Sequence, residues 1–97
     1  MSSVVYAAGA LADLDRLTDF LVEADPPSAA DTAVLIGRAL SMLEDHPYIG
    51  RPVSGDMREL VISRGRTGYV ALYVYREVLD TVLVLAVRHQ RESGFGE

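Results

Sequence analysis

The side chains able to do chemistry are few, and most of them lie in the second half of the chain. Nine arginines and two histidines supply every cation, with no lysine and no cysteine. His89 stands between Arg88 and Arg91, where a long apolar run ends. A neutral imidazole among arginines can serve as a general base or as an orienting hydrogen-bond group. No carboxylate or nucleophile accompanies it at a recognisable spacing. Arg64 and Arg66 flank Gly65 in a loop, which suits a phosphate or an acidic partner and equally suits plain solvation. Arg58 and Glu59 alternate on a strand and should face opposite sides; a plain reading of Arg58 is that it pairs with an acid elsewhere. His46 precedes a proline and reads as a turn residue. Asp15, Asp19 and Glu23 recur every four residues without a histidine, which reads as a solvated helix face rather than a metal site. Glycine-rich phosphate loops, HExxH, G-x-S-x-G and metal-ligand clusters are absent from the sequence, so neither a metal nor a cofactor is expected.

The elements that must position these residues can be read from periodicity. Ser3 to Ala7 is a short β-branched run, read as a first strand. From Ala8 to Glu23 the apolar residues Leu11, Leu14, Leu17, Phe20 and Leu21 recur at helical spacing. Asp25-Pro26-Pro27 should stop that helix. Ser28 reads as the N-cap of a second helix, with Asp31 at capping-box spacing. Ala33, Ile36, Leu40 and Leu43 form its stripe, which should end near Asp45. Ala30 and Gly37 would let the two helices approach closely, and the short link between them predicts an antiparallel hairpin. His46 to Pro52 reads as a turn segment.

The stretch Met57 to Arg91 is the organising unit. It predicts strands at Met57–Ser63, Tyr69–Arg76 and Thr81–Arg88, with a tight turn over Glu77–Asp80. In the middle strand Tyr69, Ala71, Tyr73 and Tyr75 alternate with Val70, Leu72 and Val74, which gives one aromatic and one aliphatic face. The last strand is apolar on both faces and belongs at the centre of the sheet. An α+β fold follows: an N-terminal strand at the sheet edge and an antiparallel helix hairpin packed on an antiparallel sheet.

Ninety-seven residues suffice for one domain, spanning 1–97. Apolar residues make up 49% and charged residues 24%, the balance of a globular chain. Residues 1–50 carry eight acids and two arginines, whereas residues 51–97 carry seven arginines and six acids, for an overall charge of −5. That balance argues against general binding to a phosphate backbone, and no sequence-specific contact of this chain with nucleic acid is expected. No secretory leader or membrane span is recognisable, so a cytoplasmic location and no membrane contact are expected.

The motifs VVYAAGALADLDRL, LEDHPYIGRPV, MRELVI, GYVALY and DTVLVLAVRHQRE, followed by Phe95, occur in a specific order and spacing. With them, nearly the whole chain resembles a toxin of the RelE/ParE superfamily from bacterial type II toxin–antitoxin systems. Ala8-Gly9 departs from the Ser-Pro helix start of many relatives. The resemblance implies the fold derived above and one of two activities. RelE-like members are ribosome-dependent ribonucleases, and ParE-like members poison DNA gyrase. The nuclease residues of RelE-like toxins would fall on Val61, Ser63, Val70, His89 and Phe95. Only His89 can move a proton there, and a valine cannot stabilise charge at a scissile phosphate. The resemblance therefore implies a ParE-like gyrase inhibitor that is not an enzyme, with the RelE-like nuclease, using His89, as the alternative. A toxin-derived antitoxin-binding module without toxicity is the third reading. The partners implied are a cognate ParD-like antitoxin, in a hetero-oligomer, and gyrase. Arg58, Arg64, Arg66, Tyr69, Tyr73, Tyr75, Arg88, His89, Arg91 and Phe95 are the expected partner-binding residues. The candidate surfaces for the antitoxin are the open face of the sheet, where Tyr69, Tyr73 and Tyr75 are expected, and the exposed flank of the helix hairpin. An antitoxin segment crossing these arginines should be acidic.

Overall fold

A computed structural model describes residues 1–62 and 68–89. The elements run β1 (Ser3–Tyr6), α1 (Ala8–Ala24), α2 (Pro26–Ser41), a 3-10 turn (Met42–Glu44), β2 (Arg51–Ser54), β3 (Met57–Val61), β4 (Tyr69–Arg76) and β5 (Thr81–His89). The five strands form one sheet in the order β1-β5-β4-β3-β2. Strands β2 to β5 are an antiparallel meander, and β1 adds parallel to β5 at the edge. The N-terminal edge strand and helix hairpin are as expected, and the last strand is interior, although β4 rather than β5 is the middle strand, in a sheet that is mixed rather than purely antiparallel.

Strand β2 falls in and just after the segment expected to be a turn. It carries Pro52, which lacks a donor and is tolerated because β2 is the sheet's outer strand. A glycine at positive φ, Gly55, makes the turn into β3.

Helix α1 buries Ala10 and Leu17, with Leu14 and Leu21 half-buried beside them. Leu11 and Phe20 lie roughly a quarter turn off this stripe and are exposed, contrary to the expected face. The break between the helices is also tighter than expected. Asp25 alone separates them and is the N-cap of α2, while Pro26 and Pro27 occupy its first positions. Proline suits the first helical turn, where its missing N–H would have no partner in any case. Ser28 therefore lies inside the helix, and its hydroxyl donates to the Asp25 carboxylate. Helix α1 lies against β5, and α2 packs on α1. A Cβ at Gly37 would meet no atom within 4 Å, so this glycine is not required for close helix approach.

The core joins Ile36, Leu40 and Leu43 to Tyr69, Ala71, Tyr73, Val82, Val84 and Val87. Between Leu72 and Tyr73 the pairing with β5 shifts, so that Leu72 faces Ala86 and Tyr73 faces Val84. Leu85 is the extra residue. This bulge lets Val82 and Val84 before it, and Val87 after it, serve the same core despite their odd spacing.

Candidate functional site

Val61, Val70 and His89, three of the positions singled out in the sequence, lie at one end of the sheet. Val61 on β3 faces Val70 on β4, and Val70 faces Arg88 on β5, so one row crosses three strands. Directly opposed residues project from the same face. Val61 is 41% exposed and Val70 is 8% exposed, which makes this end of the row aliphatic. His89 pairs with Tyr69 instead, one residue out of phase with the row. Its ring meets the Tyr69 ring edge-on at 5.2 Å. Because neighbouring strand residues point to opposite faces, His89 lies on the core side and Arg88 on the Val61–Val70 side.

Arg88 is held from the helix layer. Asp13 on α1 takes the Val87 N–H at 2.9 Å and lies 3.5 Å from Arg88 Nε. Arg16, one turn along, stands 3.6 Å from its other oxygen. The need for this carboxylate follows from the topology. Strand β1 covers β5 only as far as Val84, where the Ala7 N–H meets the Val84 carbonyl. Beyond that point the β5 edge needs another acceptor, and a helix side chain supplies it. Sequence reasoning missed Asp13. The available signal was an acid on the flank of the Ala10–Leu17 stripe.

The tyrosines are not on the open face. Tyr69 and Tyr73 are buried in the helix-side core, and only Tyr75 is half-buried towards the sheet's end. The aromatic face is the one the helices cover. The Tyr73 hydroxyl takes the Gly50 N–H at 2.9 Å and donates to the Pro47 carbonyl at 2.8 Å. Burial pushes its pKa up, partly offset by the Gly50 hydrogen bond and by Arg58. A Cβ on Gly50 would come within 2.7 Å of that hydroxyl, so the residue must be glycine. Arg58, expected to pair with an acid, instead donates to the carbonyls of Tyr48 and Gly50. Glu59 takes Arg51, its cross-strand partner, at 2.8 Å. The expected residues Arg64, Arg66, Arg91 and Phe95, and the Ser63 position, lie outside the described residues. Among the described residues no group of three or more His, Asp or Glu side chains gathers to hold a metal ion. No described helix is long and apolar enough to cross a membrane.

The family model of the ParE toxin of type II toxin–antitoxin systems, parDE, matches residues 4–94. The chain belongs to the ParE toxin family. Within the wider RelE/ParE superfamily of type II toxins, this ParE-family chain is 40% identical over 93 residues to Toxin RelE3 of Caulobacter vibrioides, covering 95% of this chain and 98% of that one. Toxin RelE1 of the same organism is 38% identical over 91 residues, covering 94% and 96%. The fold is similar to the toxin–antitoxin complex RelBE2 from Mycobacterium tuberculosis, with a TM-score of 0.64 at 24% identity, covering 92% and 98% of the two chains. It is also similar to the isolated E. coli RelE toxin, with a TM-score of 0.65 at 15% identity, covering 99% and 92%.

Proposed function

We propose that this ParE-family protein is a single-domain type II toxin that acts by binding, with DNA gyrase as its target, and that a segment of a cognate ParD-like antitoxin neutralises it. The observation that carries this reading is the Val61–Val70 pair. Cutting RNA requires cations around the developing phosphorane and a group to move the proton. Here two aliphatic side chains face each other where those cations would stand. His89 packs beside Tyr69 on the other face, and Arg88 is drawn towards Asp13. The row suits apolar contact with a protein better than phosphate chemistry. The likeness to the toxin–antitoxin complex RelBE2 supports an antitoxin partner and a hetero-oligomer with it. Action on gyrase places the toxin in the cytoplasm.

The RelE names of the Caulobacter relatives favour a second reading, ribosome-dependent mRNA cleavage. One paired experiment separates the two. Purified toxin is expected to block gyrase supercoiling while leaving ribosome-bound mRNA intact. Codon-position cleavage of that mRNA, abolished by His89→Ala, would replace the gyrase reading with the nuclease one. Failure to arrest growth when induced without antitoxin would point to a binding module that has lost toxicity.

A further inference from the structure

A groove of about 560 Å3 opens at the end of the sheet remote from the Val61–Val70 row. Its floor carries Tyr48, Met57, Arg58 and Tyr75, and Val78 and Leu79 in the β4–β5 turn stand on its rim. The walls are set before any ligand arrives. Tyr73 fixes the 47–50 segment through Pro47 and Gly50, and Arg58 Nη1 donates to the Tyr48 carbonyl at 3.1 Å and the Gly50 carbonyl at 2.7 Å. The Arg58 guanidinium also lies 5.0 Å from the centre of the Tyr48 ring, which meets the Tyr75 ring edge-on at 5.1 Å.

Charge selects the occupant. Arg51 is paired with Glu59, and Arg76 stands 3.6 Å from Asp56. Arg58, only half exposed, has two neutral carbonyls and a ring, and among the described residues its cation meets no carboxylate. A partly buried guanidinium without a counter-charge favours an incoming carboxylate. Beside it, Val78 is 98% exposed and Leu79 is 71% exposed, two large apolar side chains with nothing covering them. We infer that this groove docks an acidic segment of a partner protein, with an Asp or Glu carboxylate on Arg58 and a neighbouring apolar side chain against Tyr48, Tyr75 and Leu79. A nucleic-acid strand fits less well, because it brings a phosphate at every nucleotide against Asp56 and Glu77 in the same groove, whereas a peptide can set one carboxylate on Arg58 and apolar side chains beside it. The inference rests on the reading that this toxin works and is controlled through protein contacts.

The test is fluorescence anisotropy of the full chain with labelled peptides in which Glu alternates with Leu, their Gln counterparts, and a labelled oligothymidylate. The acidic peptide is expected to bind, with the Gln form roughly tenfold weaker, as the loss of one charge-assisted contact gives. Arg58→Met should weaken the acidic peptide to the level of the Gln form. Leu79→Glu, at an exposed rim position that leaves the core untouched, should weaken it at least as much by like-charge repulsion. Equal binding of the Gln peptide, or full affinity in Leu79→Glu, overturns the assignment. Tighter binding of the oligothymidylate overturns it in favour of a nucleic-acid surface. Absence of peptide binding in a preparation that inhibits supercoiling removes the groove and leaves the proposed target standing.

Discussion

Tyr73 shows how one polar atom organises a loop from inside the core. Its side chain is buried, yet the hydroxyl both accepts from Gly50 and donates to Pro47, which holds the turn after the helices on the sheet. Tyr73→Phe removes both bonds and strands a buried N–H. The expected loss is about 1–3 kcal/mol of stability by urea denaturation, with the far-ultraviolet spectrum unchanged. Asp80 does comparable work at the surface. Its carboxylate accepts from the Ser2 and Tyr75 hydroxyls, and its carbonyl takes the Ser3 N–H, so that the start of β1 is tied to the β4–β5 turn. Those hydroxyl bonds, Ser2 first, hold the Asp80 pKa below its ordinary value of 3.8. A carboxylate with a lowered folded pKa contributes stability above its unfolded value and loses it as pH falls through the folded one. Amide exchange at Ser3 should therefore accelerate relative to the rest of the sheet as pH drops below 3.8. Asp80→Asn should remove that acid-dependent step, and an unchanged step in the variant would refute the link.

At the scale of elements, the helix hairpin retains slack that the sheet does not. Gly37 lies mid-helix in α2 with open space where a side chain would stand. Glycine there costs backbone entropy and returns no packing. Gly37→Ala should therefore stabilise the protein by about 0.5–1 kcal/mol, read as a higher urea midpoint at unchanged slope. A lower midpoint would show that the helices need the gap. The sheet is bound more closely to its surroundings. The bulge at Leu85 and the carboxylate of Asp13 act together at the point where β1 stops covering β5. One shifts the phase of the valines and the other satisfies the exposed edge. Neither has a local sequence signature, since a bulge is a property of two paired strands and the Asp13 contact joins residues 74 apart in the chain.

Across the whole molecule, periodicity was enough to place the helices, β4, β5 and the interior position of the last strand. Those features follow from side chains spaced along one segment. The choice of covered face did not follow, because alternation shows that Tyr69 and Tyr73 share a side with Ala71 but not which side the helices take. Strand β2 stayed hidden because Pro52 and its flanking glycines carry turn chemistry, and its pairing depends on β3 being in place. The ParE-family resemblance was legible in the motifs, and so were the valines at positions 61 and 70. Only the tertiary structure decided that those valines face each other, that His89 turns to the core while Arg88 joins their row, and that Arg58 sits in a groove with Tyr48 and Tyr75. Those facts depend on strand register and on contacts between distant segments, which local spacing does not encode.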